Sequence, residues 1–333
     1  MLYVILKLYR THRRDKEEYG QISSHFGQER RSSMETDIPS LKMEHLDSNY
    51  DPSFPFYIQY GRHDREMFIH RHEDFAELVI VLSGSATHEV NHESYPIHKG
   101  DVFVISHPQT AHGFRDAVNF RICNIMYDPG VILPSQSDLK TTPGYQSLFV
   151  IEPAMIEQKG FASRLTLGSK EYDIIYNLVQ HLYFEFNSHP PGYRSMIQSL
   201  LVRMFILLSR YHQEDNAAAD DPALSIATSV AYMEQHFRID MSIAELAQMA
   251  GLSTRHFRRI FQNIYHMSPI RYLNSLRIQA ACQMLAATDL SVTEIAIQCG
   301  FSDGNYFSTK FKQATGKSPM AYRKNNRSPI GPV

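Results

Sequence analysis

The sequence is poor in the residues that build disulfide scaffolds and membrane spans. Its three cysteines, Cys123, Cys282 and Cys299, are odd in number and far apart, with no C-x-x-C pair. Such a set argues against a disulfide framework and suits a reducing compartment. No apolar run approaches the ~20 residues needed to cross a bilayer. The basic-flanked opening MLYVILKLYR is not followed closely by a small-residue cleavage site. The expectation is a cytoplasmic chain with no membrane partner. Apolar helical stretches occur, but no sustained heptad that would make a coiled coil.

What is present is an ordinary globular composition, 43% hydrophobic and 20% charged over 333 residues, enough for two or three domains. The net charge of −2 conceals a division: residues 223–333 hold 12 Lys/Arg against 6 Asp/Glu, and residues 1–222 hold 21 against 29. A basic C-terminal third on an acidic body suits a polyanion-binding module joined to something else.

Pattern changes along the chain predict six stretches. Residues 1–50 lack periodicity and are expected to be disordered or loosely attached, and Met34 is an alternative start to Met1. Residues 51–167 contain short β-rich runs, FAELVIVLSG, VFVISH and FRICNIMY, broken by turns, which suggests a sandwich or barrel, and between Asp128 and Leu167 several Pro and Gly residues mark an irregular connection. Residues 168–212 carry two amphipathic helices, over 171–188 and 193–212. Residues 213–222, polar and Ala-rich, form a linker. Residues 223–325 read as helix upon helix, and 326–333 as a tail.

Within 223–325 the chain repeats itself. SIAELAQMAGLS (242–253) matches SVTEIAIQCGFS (291–302) at an offset of 49, and SPIRY (268–272) matches SPMAY (318–322) at 50. One residue is therefore inserted, and its expected place is early in the second copy's next helix. Ser242 and Ser291, each followed by Glu three residues on, have the form of capping boxes. Gly251 and Gly300 supply the left-handed residue that ends a helix and begins a turn. Ser253 and Ser302 are then expected to cap the following helix. Each copy is thus a helix-turn-helix unit, two in tandem joined by a helix over 268–288.

The second helix of each unit is the one that would enter the major groove of double-stranded DNA. In the first copy Phe257, Ile260 and Phe261 take the inward stripe, leaving Thr254, Arg255, His256, Arg258, Arg259 and Gln262 outward. Arginine offers a bidentate fork to guanine, and glutamine a matched pair for adenine. In the second, Phe307 and Phe311 anchor the helix and Ser302, Asp303, Asn305, Ser308, Thr309, Lys310 and Lys312 remain outward. That face has less charge and is expected to position more than it reads. The alternative, a merely solvated helix face, stays open for each residue taken singly.

The blocks IAELAQMAGLSTRHFRRIFQ, LRIQAACQML and IAIQCGFSDGNYFSTKFKQATGKSPMAYR resemble the DNA-binding domain of the AraC/XylS family of bacterial transcription regulators over about residues 223–325. One departure is His266, where the second copy has Gly316. In the β-rich part, H-x-H-x4-E-x6-G (His70, His72, Glu77, Gly84), then Gly100-Asp101, Pro108 and His112, resembles the cupin pattern. Two of its usual features are missing: Asp64 stands where Gly precedes the first His, and no Asn follows His112. Together these imply an α+β fold: an N-terminal cupin-like β-barrel followed by helices, then an all-α domain with two helix-turn-helix units.

The arrangement HRHEDFAELVIVLSG…YPIHKGDVFVI…H also resembles, more loosely, the sensor domain of the family's L-rhamnose regulators. This implies an activator, RNA polymerase and a second copy of the chain as partners, and a small-molecule effector, with a sugar as the suggested class. His70, His72, Glu77 and His112 are the candidate effector-binding residues. No cofactor and no metal are assigned, and no catalytic residue. The alternative treats the same four residues as ligands of a divalent metal in a cupin enzyme fused to a DNA-binding module. His63 and His88 are set aside as chance members of a chain with 17 histidines.

Overall fold

The computed structural model describes residues 38–47, 50–63, 67–91, 93–106, 108–133, 138–155, 164–216 and 222–326. The expectations for 1–37, for the linker core 217–221 and for the tail from 327 lie outside the described residues. The described chain divides into two compact units, one from residues up to 133 with 152–211, the other from 138–151 with 212–326.

The first unit is built on eight strands: β1 (Ser40–Leu41), β2 (Phe56–His63), β3 (Met67–His72), β4 (Ala76–Val90), β5 (Glu93–His98), β6 (Asp101–Ile105), β7 (His112–Tyr127) and β8 (Leu165–Thr166). The order is β1-β3-β7-β4-β6-β8, with β2 joined to β7 and β5 to β4. Every pairing is antiparallel except β1 with β3. The two longest strands, β4 and β7, pair with each other and carry all the others except β1 and β8.

Residues 76–81 of β4 are continuously buried, as expected of an Ile/Val-rich run covered on both faces, whereas 86–90 alternate. Between them the register shifts at Val81, Ser83 and Ser85. There Gly84 adopts φ +72°, and a Cβ would lie 2.2 Å from the Val118 carbonyl oxygen. Only glycine fits where β4 bends against β7.

Residues 38–47, expected to be loose, are instead attached. Ser40 and Leu41 pair with Arg71 and His72, and Leu41, Met43 and Leu46 are buried with Phe75 and Met126. Two helices complete the unit: α1 (Ser169–Ser188) and α2 (Tyr193–Asp215), the latter counted here as far as Tyr211. The buried stripe of α1 is Ile175, Leu178, Val179 and Leu182. Phe186, half-buried, packs its ring 5.5 Å from those of Phe56 and Tyr57 on β2. Ile174, Phe184 and Met196 remain exposed.

The second unit contains α3 (Pro222–His236), α4 (Ile243–Met249), α5 (Thr254–Tyr265), α6 (Pro269–Ala287), α7 (Val292–Gln298), α8 (Gly304–Thr315) and α9 (Pro319–Asn326). It also contains 138–151, which the sequence placed in the 51–167 domain as irregular connection. That stretch forms short helical turns packed on α3, with Leu139, Tyr145, Gln146, Ser147, Leu148 and Ile151 buried. The hydroxyl of Tyr265 on α5 donates to Gln146 Oε1 at 3.1 Å, and Gln146 Nε2 donates to the Lys140 carbonyl at 2.7 Å. The apolar side chains among these residues explain the attachment, since Tyr145, Leu148 and Ile151 would otherwise be exposed.

Candidate functional site

Each half of the sequence repeat folds as a short helix, a turn and a longer helix. Ser242 accepts from the Glu245 amide at 3.2 Å while Glu245 accepts from the Ser242 amide at 2.7 Å. Ser291 and Glu294 do the same at 3.1 and 2.7 Å. Those bonds hold both glutamate carboxyls below their ordinary pKa. Gly251 and Gly300 take φ +63° and +87°. At Gly300 a Cβ would meet the Arg238 carbonyl oxygen at 2.6 Å. The Arg277 guanidinium, from α6, donates to the Phe237 and Ile239 carbonyls at 2.7 and 2.9 Å. It thereby satisfies carbonyls just after α3 and ties the joining helix to the first lobe.

The longer helices differ in their caps. Ser253 caps α5, accepting from the His256 amide. In α8 the cap is Asp303, accepting from the Tyr306 amide at 2.7 Å. The expectation that Ser302 plays this part is corrected: the inserted residue lies in the turn, ahead of the helix, and both helices are 12 residues long. Aspartate at the cap also meets the partial positive charge of the helix start.

Both helices bury their expected anchors. Phe257, Phe261, Phe307 and Phe311 are fully buried, with Ile260 and Ile264 nearly so. Outward stand Arg255, His256, Arg258, Arg259 and Gln262 on α5, and Ser302, Asp303, Asn305, Thr309 and Lys312 at α8, all exposed. Thr254, Ser308 and Lys310 are half-buried. Among the described residues none of the three arginines has a carboxylate partner. Lys310 donates to Gln313 Oε1 at 3.2 Å and lies 5.4 Å from the Tyr306 ring. Tyr306, exposed on α8 with Asn274 donating to its hydroxyl, was missed by a reading that sought charged and amide groups. Its outward position is legible from the Phe307/Phe311 stripe.

The candidate effector residues come together, but in the interior. His70, His72, Glu77 and His112 are at most 3% exposed, so they do not line an open pocket. The strand order places them: His70 and His72 share one face of β3, His112 is the cross-strand partner of His70 on β7, and Glu77 stands near the start of β4. His88, set aside in the sequence, is fully buried and belongs with them: its Nε2 is 3.3 Å from His112 Nδ1 and its Nδ1 2.7 Å from Tyr95 Oη. The alternation Ala86, His88, Val90 on β4 was the available signal. Burial lowers the pKa of His72 and His112 well below the ordinary imidazole value, lowers that of His88 to about 3, and pushes the Glu77 carboxyl up to about 8. An open cleft lies elsewhere in the same unit. It has a volume of about 410 Å³, with walls that include Tyr57, Tyr60, Tyr183 and Phe186 and polar groups that include Asp47, Gln59 and Asn187.

A β domain joined to tandem helix-turn-helix lobes with an open, cationic second helix defines a DNA-binding regulator. The AraC-like ligand binding domain family matches residues 53–225, and a helix-turn-helix domain family matches 246–325. The chain belongs to the AraC family of DNA-binding transcription regulators. It is 26% identical over 288 residues to the HTH-type transcriptional activator RhaR of Mannheimia succiniciproducens, covering 86% of this chain and 98% of that one. It is 28% identical to the HTH-type transcriptional activator RhaS of an Enterobacter species, over 77% of this chain and 88% of the other. Among solved structures, the DNA-binding domain of AdpA in complex with a target DNA is similar at 32% identity, over 30% of this chain and 91% of that one, with a TM-score of 0.30. With the family shown, the reading as a cupin enzyme fused to a DNA-binding module is set aside. Among the described residues no helix is long and apolar enough to cross a membrane.

Proposed function

We propose that the chain is a transcription activator that works in the cytoplasm as a homodimer, contacts RNA polymerase at its promoters, and responds to a sugar bound in its first unit. The observation that carries the reading is the pair of matched, separately capped helices whose outward faces hold Arg255, Arg258, Arg259 and Gln262 on one and Asn305, Thr309 and Lys312 on the other. Such faces supply phosphate contacts and base-edge contacts together. The activator and sugar parts draw on the relatives named RhaR and RhaS. Exposed Ile174, Phe184 and Met196 on α1 and α2 supply apolar surface for a second copy.

The aromatic cleft is the place for the sugar. Rings such as Tyr60 and Tyr183 offer flat faces to C–H-lined sugar surfaces, and Asp47, Gln59 and Asn187 offer hydrogen bonds to hydroxyls. The four residues first assigned to the effector, His70, His72, Glu77 and His112, are too enclosed to take it up without an opening of the strands.

A thermal-shift screen with common sugars, L-rhamnose first, tests this, because a ligand that binds only the folded state must raise its stability. One sugar is expected to raise the melting temperature, to lose that effect in Tyr183→Ala, and to increase expression of a reporter carrying an operator that the full chain selects from random duplexes. A sugar that shifts stability without changing expression, or no shift with any sugar, contradicts the reading.

A further inference from the structure

Beside the aromatic cleft lies a second open pocket of about 430 Å³, and Tyr60 is a wall of both. On the cleft side the Tyr60 ring meets that of Tyr183, with centroids 4.6 Å apart. On the other side the lining changes character. Arg62 and Arg121 come from the strands, and Tyr172 and Tyr176 from α1. No Asp or Glu lines this second pocket among the described residues.

The strand register sets the two arginines against each other. Phe56 and Tyr60 of β2 meet Phe186 and Tyr183 of α1, and Arg62 follows on the same face two residues on. Its cross-strand partner on β7 is Arg121. Directly opposed residues have Cβ atoms about 4.5–5.5 Å apart, and like charges so placed repel. Both side chains are exposed, and Arg121 has no hydrogen-bond or carboxylate partner among the described residues. An oxyanion held between them turns that repulsion into attraction, because each guanidinium fork offers paired N–H groups to phosphate or carboxylate oxygens.

The rest of the pocket also favours an anion. Tyr172 donates its hydroxyl proton to the Leu82 carbonyl at 2.9 Å, and Ser83 to the Asn119 carbonyl at 3.1 Å. Those two groups are engaged with backbone. The hydroxyls of Tyr60 and Tyr176 have no hydrogen-bond partner among the described residues and are available as donors. Burial, then the nearby Cys123 thiol and tyrosine hydroxyls, raise the Tyr60 hydroxyl above its ordinary pKa, which keeps its proton in place. Lys99 adds a further cation, its Nζ 4.5 Å from the centroid of the Tyr172 ring.

We propose that the pocket between Arg62 and Arg121 binds the phosphate or carboxylate of a small effector, which makes the effector a sugar carrying such a group. The sugar part rests on the reading of the adjoining aromatic cleft given above; the anion part rests on the arginine pair. Successive same-face residues of a strand lie about 6.5–7 Å apart. A sugar ring stacked on Tyr60 therefore sets its acidic substituent within reach of Arg62 and Arg121.

The test uses the full chain in calorimetric titrations and thermal melts at fixed ionic strength. The probes are D-glucose, D-galactose and L-rhamnose, the 6-phosphates and uronates of the first two, L-rhamnose 1-phosphate, and inorganic phosphate alone. Inorganic phosphate is expected to raise the melting temperature above that in chloride, and Arg121→Gln to lose the shift. One acid-bearing sugar is expected to bind about 10-fold or more tightly than its neutral parent, and phosphate against uronate shows which group is read. Arg121→Gln and Arg62→Gln are expected to remove that margin while binding the neutral parent as the wild type does. Lys170→Gln, exposed on α1 outside the pocket, is expected to change nothing. Absence of both the phosphate shift and the acid preference, or either one persisting in Arg121→Gln, overturns the proposal. Phosphate held by the arginines of α5 would persist in that variant and is told apart in this way. Anion binding lost in Arg121→Gln, with every ligand unaffected by Tyr183→Ala, supports the pocket and contradicts the sugar cleft.

Discussion

The two helix-turn-helix lobes descend from one sequence pattern yet are built for unequal work. The first presents three exposed arginines and a glutamine on α5, and its recognition helix is held from behind: Tyr265 bonds to Gln146 of the 138–151 stretch, and Tyr272 of α6 donates to Glu234 of α3. The second presents Asn305, Thr309, Lys312 and Tyr306, starts at an aspartate cap, and ends at Gly316. On this reading the lobe rich in guanidinium groups is expected to bind strongly and read guanine, whereas the one with two lysines, Lys310 half-buried beside the Tyr306 ring, and short polar groups is expected to place the protein on the duplex. The first lobe is also the one bonded to residues that, in sequence, lie between β7 and β8.

Several substitutions sharpen or break this comparison. The largest effect is expected where the lobes are alike: Phe257→Ala and Phe307→Ala each remove a fully buried anchor and are expected to cost about 3–5 kcal/mol, read by chemical denaturation. An unequal pair would mean that one helix is not held by its core.

DNA affinity separates the lobes next. Arg255→Ala and Arg259→Ala are expected to cost about 1–3 kcal/mol each at the preferred site and to relax its sequence preference. Lys312→Ala is expected to cost less and mainly to lower the salt dependence by about one phosphate contact. Fluorescence anisotropy at several salt concentrations checks both; equal losses in the two lobes would erase the distinction.

The caps and the rear contact come next. Asp303→Ala is expected to destabilise by about 1 kcal/mol and Ser302→Ala by almost nothing, a difference visible in thermal melts. Tyr265→Phe deletes one bond to Gln146 and is expected to cost about 1 kcal/mol. The smallest effect has the opposite sign. His266 ends α5 in the left-handed region at φ 53°, where Gly316 ends α8 at φ 73°, so His266→Gly is expected to stabilise by about 0.5–1 kcal/mol.

Much of the C-terminal unit was legible because its signals are local. Ser-x-x-Glu, the two glycines and the Phe stripes are read within a dozen residues, and each has one structural meaning. The misplaced cap at Ser302 shows the limit of aligning a repeat by eye: Ser-Asp offers two capping side chains in a row, and only the backbone decides between them. The 138–151 stretch was illegible for another reason. Its Pro and Gly read as connection, while the partner that buries it, α3, lies about 80 residues on in the chain. In the β domain the residues His70, His72, Glu77 and His112 were singled out correctly as a group, but their enclosure was not, since burial depends on β4 and β7 bending around Gly84. His88 was hidden by the abundance of histidine, although its neighbours Ala86 and Val90 point inward.

The most direct test of the account is a footprint on duplexes selected by the full chain from a random pool. Twin recognition helices predict two protected patches about one helical turn, ~34 Å, apart, the first weakened by Arg255→Ala with Arg259→Ala and the second by Asn305→Ala with Lys312→Ala. A selection that yields no preferred sequence, or a footprint that neither double variant alters, contradicts it.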